Sequence, residues 1–150
     1  MNKNSLGTKF SQMLILFYAI MLGHTMFALV IVLILKGEMA TLDSSNNMLL
    51  YVSAFISTSA VAAGYILYKS RINRIQENDA TDKKLDMWRT AFLIKMMLID
   101  VACFLNLTFL MLTNNRIFLY LYILIAIIML MNKPSQYKTI EELQIGDEQI

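Results

Sequence analysis

Apolar positions along the chain fall into four blocks, residues 10–35, 48–68, 90–112 and 117–131, separated by short polar stretches. Within a block there is no strand-like alternation: Leu29-Val30-Ile31-Val32-Leu33-Ile34-Leu35 is apolar at every position, which excludes a membrane β-barrel. A helix needs roughly 20 such residues to cross about 30 Å of hydrocarbon, and it satisfies its own backbone amides and carbonyls there. The pattern predicts an all-α protein: a transmembrane four-helix bundle, one domain over residues 1–150, with a short amphipathic helix near its C-terminal end.

The second span is the expected packing helix. Ser53, Ser57, Ser59, Ala60, Ala63 and Gly64 place small residues three and four apart, including Ala60-x-x-x-Gly64, and small side chains let helix backbones approach closely in lipid. The first span carries a weaker version, Ala19-x-x-x-Gly23, and both motifs are expected to pack within the bundle, with a homodimer through the same face as the lesser alternative. Ile72 and Ile75 keep helical spacing beyond span two, so that helix is expected to run on to about Asn78. Asp79, Thr81 or Asp82 can then cap the helix that becomes span three. In the tail, Thr139-Ile140-Glu141-Glu142 reads as a capping box that starts a short helix carrying Leu143 and Ile145. The fourth span is the plainest, with Tyr120 and Tyr122 toward one end and much of its surface expected to face lipid.

Composition agrees with a membrane protein: 57% of residues are hydrophobic, with one proline and five glycines, and the mean hydropathy is +0.55. Lys3 and Lys9 before the first block give it a signal-peptide flavour, but the block is too long for such a region and is read as retained. Cys103 is the only cysteine, which excludes an internal disulfide and paired-thiol chemistry. Cations are strongly partitioned. Lys3, Lys9, Lys69, Arg71, Arg74, Lys83, Lys84, Arg89, Lys133 and Lys138 fall on one side of the spans, and Lys36 and Arg116 on the other. The positive-inside rule then puts both termini and the central hairpin in the cytoplasm, facing anionic lipid headgroups. A net charge of +2 without a basic, aromatic-laced stripe gives no reason to expect nucleic acid as a partner.

Asp100 is the residue that spanning alone does not require. Counting 1.5 Å per residue from Arg89 places it about 16 Å deep, near the bilayer centre, where a carboxylate costs roughly 3 kcal/mol. His24 falls near the middle of span one and Ser57, Thr58 and Ser59 near the middle of span two, so a midplane polar cluster of these residues with Asp100 is expected, with Asn106 and Thr25 as outer neighbours. Such a cluster pins helices together, handles protons or ions, or holds a ligand. Lys95, about 9 Å deep, has a stem long enough to return its ammonium toward the headgroups. A membrane enzyme is a third reading, attractive only if a deep polar pocket reaches the inner headgroup region near Lys95, Arg89 and Trp88, where a lipid phosphate could sit. Nothing in the sequence nominates a catalytic residue, a cofactor or a metal: phosphate loops, nucleophile elbows and zinc-ligand pairs are missing, and His24 lacks a second axial histidine for haem.

Two short stretches, Lys95 followed five positions later by Asp100, and Lys133-Pro134-Ser135 followed by Thr139-Ile140-Glu141-Glu142-Leu143, resemble the C-terminal third of small uncharacterised bacterial four-span proteins. The resemblance implies residence in the bacterial inner membrane and no particular activity. With almost no extramembrane machinery, the chain reads as a small membrane accessory or interaction protein that stabilises or assembles a larger complex, through another membrane protein or self-association. The rival reading is a proton-linked transporter or channel using Asp100 and His24.

Overall fold

A computed structural model describes residues 3–36, 47–76 and 78–143. They form five helices: α1 (Lys3–Ile34), α2 (Asn47–Ile72), α3 (Thr81–Thr113), α4 (Arg116–Met131) and α5 (Gln136–Glu142). α1, α2 and α3 are each long and apolar enough to cross a membrane. α4 has 16 residues, roughly 24 Å at 1.5 Å each and short of a 30 Å core. It reaches spanning length only when counted with α5, from which it is bent by 70°.

α3 is the hub, with α1, α2 and α4 all packed against it. Its buried positions, among them Leu85, Trp88, Phe92, Met96, Ile99, Cys103, Asn106 and Leu110, recur every three or four residues along its whole length. α1 buries the narrower stripe Met13, Phe17, His24, Ala28 and Ile31, and α4 buries Phe118, Tyr122, Ile125 and Met129. Hydrophobicity does not distinguish these stripes, because the outward faces are equally apolar: Ile15, Leu22, Phe55 and Ile66 are all exposed. Inside lipid such residues gain nothing by turning inward, so close packing and polar pairing select the buried face.

Gly64 shows that selection at one contact. A Cβ added there would lie 3.3 Å from the Lys95 carbonyl oxygen and 3.6 Å from the Leu98 Cβ, so the absent side chain is what lets α2 settle on the backbone of α3. Gly23 behaves differently: no described residue lies within 4 Å of its would-be Cβ, and Ala19, four residues before it, is exposed. The small-residue motif of the first span thus points away from the bundle.

Several expected boundaries shift. α1 starts seven residues before the first apolar block, because Lys9 remains helical and donates to Asp82 and Asp86 of α3 at 3.2 and 3.0 Å. α2 ends at Ile72 rather than near Asn78. There the chain turns, with the Asp79 carboxylate accepting from the Gln76 amide at 3.0 Å and from Lys83 at 2.6 Å. The α3 N-cap is Ala80, with no side-chain cap bond, and none of Asp79, Thr81 or Asp82 fills that role. Thr139 does not open the last helix. α5 begins at Gln136 after Ser135, and the Thr139 hydroxyl donates back to the Ser135 carbonyl. Leu143 is its C-cap residue, while Ile145 lies outside the described residues.

The α3–α4 turn is tight because Asn114 takes a left-handed conformation (φ 53°) and returns its amide to Leu110, after which the Asn115 side chain accepts from the Ile117 amide. α3 and α4 therefore run antiparallel. The Lys9–Asp82 and Tyr68–Glu142 contacts bring the start of α1, the end of α2, the start of α3 and all of α5 to one end of the bundle.

Candidate functional site

Polar groups inside the bundle form two knots and one under-satisfied pair. The first knot is centred on Asn106, fully buried at 0% exposure. Its amide nitrogen donates to the Ala102 carbonyl one turn back and to the Ser57 hydroxyl, each at 2.8 Å. Its oxygen accepts from Ser53 at 2.8 Å. Ser53 and Ser57 are four apart and so share one face of α2, which lets one amide fasten two helices with its principal donors and acceptor used.

The pair lies between α1 and α4. His24, also at 0% exposure, shares a 3.0 Å hydrogen bond between its Nδ1 and the Tyr122 hydroxyl, with the rings edge to face at 5.7 Å. Among the described residues its Nε2 is buried without a hydrogen-bond partner, as is Oδ1 of Asp100. Asp100 and Cys103 of α3 lie within electrostatic reach of the Tyr122 hydroxyl.

The second knot is centred on Asn132, the first residue beyond α4. Its amide nitrogen donates to the Ile128 carbonyl one turn back at 2.7 Å and to the Tyr65 hydroxyl of α2. Its oxygen accepts from the Lys95 ammonium at 3.2 Å. Lys95 is 7% exposed, and its ammonium lies 4.1 Å from the centroid of Tyr68 and 5.4 Å from those of Tyr65 and Phe92. Three ring faces and an amide oxygen hold the cation at this end of the bundle. α4 stops early here and the chain folds back at Pro134, leaving a recess of about 520 Å³ between α2, α3 and the α4–α5 elbow. Lys69, Lys95, Lys133, Lys138 and Glu142 all contribute to its walls. The far wall is tied down by two bonds. Tyr68 donates its hydroxyl proton to Glu142 of α5, and Lys84 donates to the Leu143 carbonyl at 3.2 Å.

The expected midplane cluster is thus divided among these places. Ser57 and Asn106 meet directly, whereas Thr58 and Ser59 are exposed on the other side of α2. His24 bonds to Tyr122. Consecutive helical residues are about 100° apart, so three hydroxyls in a row cannot all reach one partner. Trp88 stacks between Phe10 and Phe92 and lines both the recess and a separate narrow crevice, and Arg89 reaches only that crevice, with Lys9 and Gln136. Sequence reasoning missed Ser53 as a bonding partner, Tyr122 as a buried residue, and the Tyr65, Tyr68, Asn132 and Glu142 surroundings of Lys95. Their one available signal was the interruption at Asn132-Lys133-Pro134, which marks where an apolar helix must break.

The chain matches no family model, no curated protein and no solved structure.

Proposed function

We propose that this chain is an integral membrane accessory protein of the bacterial inner membrane, stabilising or assembling a larger complex through its outward helix faces, with its two ends and the 73–80 turn on the cytoplasmic side. The observation that carries the reading is the outward Ala19-x-x-x-Gly23 of α1. Its glycine has open space around it while the equivalent Gly64 of α2 is spent on α3. Close-approach motifs in lipid are useful only against another backbone, and α1 turns this one toward whatever lies beside the bundle. The partition of lysine and arginine supports the orientation.

Gly23→Leu tests it. The variant is expected to fold and insert normally yet lose the proteins, or the second copy of itself, that co-purify with the unaltered chain in mild detergent. Unchanged co-purification would remove the basis for the reading.

A proton-linked transporter or channel is the second reading, supported by Asp100 Oδ1 and His24 Nε2, both buried and without a hydrogen-bond partner among the described residues. Asp100→Asn separates the two: normal assembly with loss of proton-dependent flux in vesicles favours transport, and unaltered flux eliminates it.

A further inference from the structure

We infer that the recess beside Lys95 is a binding site for a phosphate-bearing anion, a lipid headgroup or a soluble phosphate compound. The inference is independent of the association surface on α1. An ammonium has three protons to donate, and among the described residues Lys95 gives one to Asn132 and points the rest toward ring faces. It forms no ion pair among those residues. Glu142, the one acidic residue of the recess wall among the described residues, accepts a hydrogen bond from Tyr68. The other charged lining residues, Lys69, Lys133 and Lys138, are cationic and exposed. A nearly buried cation at the floor and three lysines around it outnumber the single Glu142 carboxylate, whose charge also reaches Lys95, so the net field of the recess favours an anion.

Shape and depth agree. A volume of about 520 Å³ lies within the usual range for small-molecule sites, and exceeds what one or two waters would require. The end of the bundle that holds it also carries exposed Arg71 near the end of α2, Arg74 in the turn and Lys83 near the start of α3, a basic surface of the kind that collects headgroup phosphates. The aromatic walls suit the glycerol and upper acyl carbons of a lipid, and Ser135 offers a hydroxyl to ester or headgroup oxygens.

Trp88, the single tryptophan, lines the recess and reports on it. The full chain in a neutral detergent is titrated with short-chain phosphatidylglycerol, short-chain phosphatidylcholine and inorganic phosphate while Trp88 emission is followed. Phosphatidylglycerol is expected to saturate the change, and Lys95→Met is expected to weaken its binding by about tenfold, the loss of one charge-assisted contact. Saturation by phosphatidylglycerol alone assigns the site to a lipid, and equal saturation by inorganic phosphate assigns it to a soluble anion. If neither anion saturates the signal, if phosphatidylcholine binds as tightly as the anions, or if folded Lys95→Met binds within twofold of the unaltered chain, the inference is overturned. Should Lys95→Met fail to fold by circular dichroism, Lys69→Gln with Lys138→Gln replaces it. Several-fold weaker binding upholds the site, and unchanged affinity overturns it.

Discussion

Asn106 and Asn132 make the same three kinds of bond. Each donates to the carbonyl one turn back and to a hydroxyl on α2, and each accepts a proton through its side-chain oxygen. What differs is the surroundings. Asn106 is sealed between α2 and α3 and accepts from neutral Ser53, whereas Asn132 stands beside an open recess and accepts from cationic Lys95. One geometry thus serves two ends. In the sealed setting every bond is consumed in holding helices together. At the elbow the bonds fix a cation that still has capacity to spare.

Breaking the sealed knot is expected to cost most. Asn106→Leu removes three bonds worth roughly 0.6 kcal/mol each in a membrane bundle, about 2 kcal/mol together, and strands two serine hydroxyls. Unfolding in a denaturing detergent series, followed by circular dichroism, measures the loss. Asn132→Leu should cost less, about 1 kcal/mol by the same assay, because water in the recess can take up the freed Lys95 and Tyr65 groups. Equal losses would mean that the recess is as dry as the bundle centre and would erase the contrast.

Single hydroxyls sharpen the comparison. Ser57→Ala and Tyr65→Phe each delete the α2 acceptor of an asparagine amide, and the expected penalties are about 0.6 kcal/mol for the first and near zero for the second. Smallest of all is the effect at the 73–80 turn, outside both knots. Asp79 is held below its ordinary value of 3.8, chiefly by the Lys83 ammonium and then by the Gln76 amide. A carboxylate with a depressed value in the folded protein stabilises it above the unfolded value and loses that contribution as pH falls through the folded one. A slight advantage in melting temperature over Asp79→Asn is therefore expected near neutral pH, disappearing below about pH 4. An advantage that grows in acid would contradict the contact.

The tail and the second span show how far sequence reasoning reached. Small residues four apart correctly marked the face of α2 that carries Ser53, Ser57 and Gly64, since close approach in lipid demands them. The same rule misjudged Ala19 and Gly23, because a motif says that a backbone can come near without saying whose backbone does. Counting depth along the helices grouped Asp100, His24 and the span-two hydroxyls at one level, but depth leaves rotation undetermined. Thr58 and Ser59 turn outward, and His24 reaches Tyr122.

From the sequence alone came the helical class, the long apolar elements, the break after Met131 and the singular positions of Asp100 and Lys95, because lipid imposes length and backbone satisfaction on every segment separately. Only the tertiary structure decided that α3 is the hub, that α4 stops short and that Lys95 lies in an aromatic recess. Each of these depends on how helices rotate and approach one another, and in a chain apolar on every face the hydrophobic pattern carries little information about rotation.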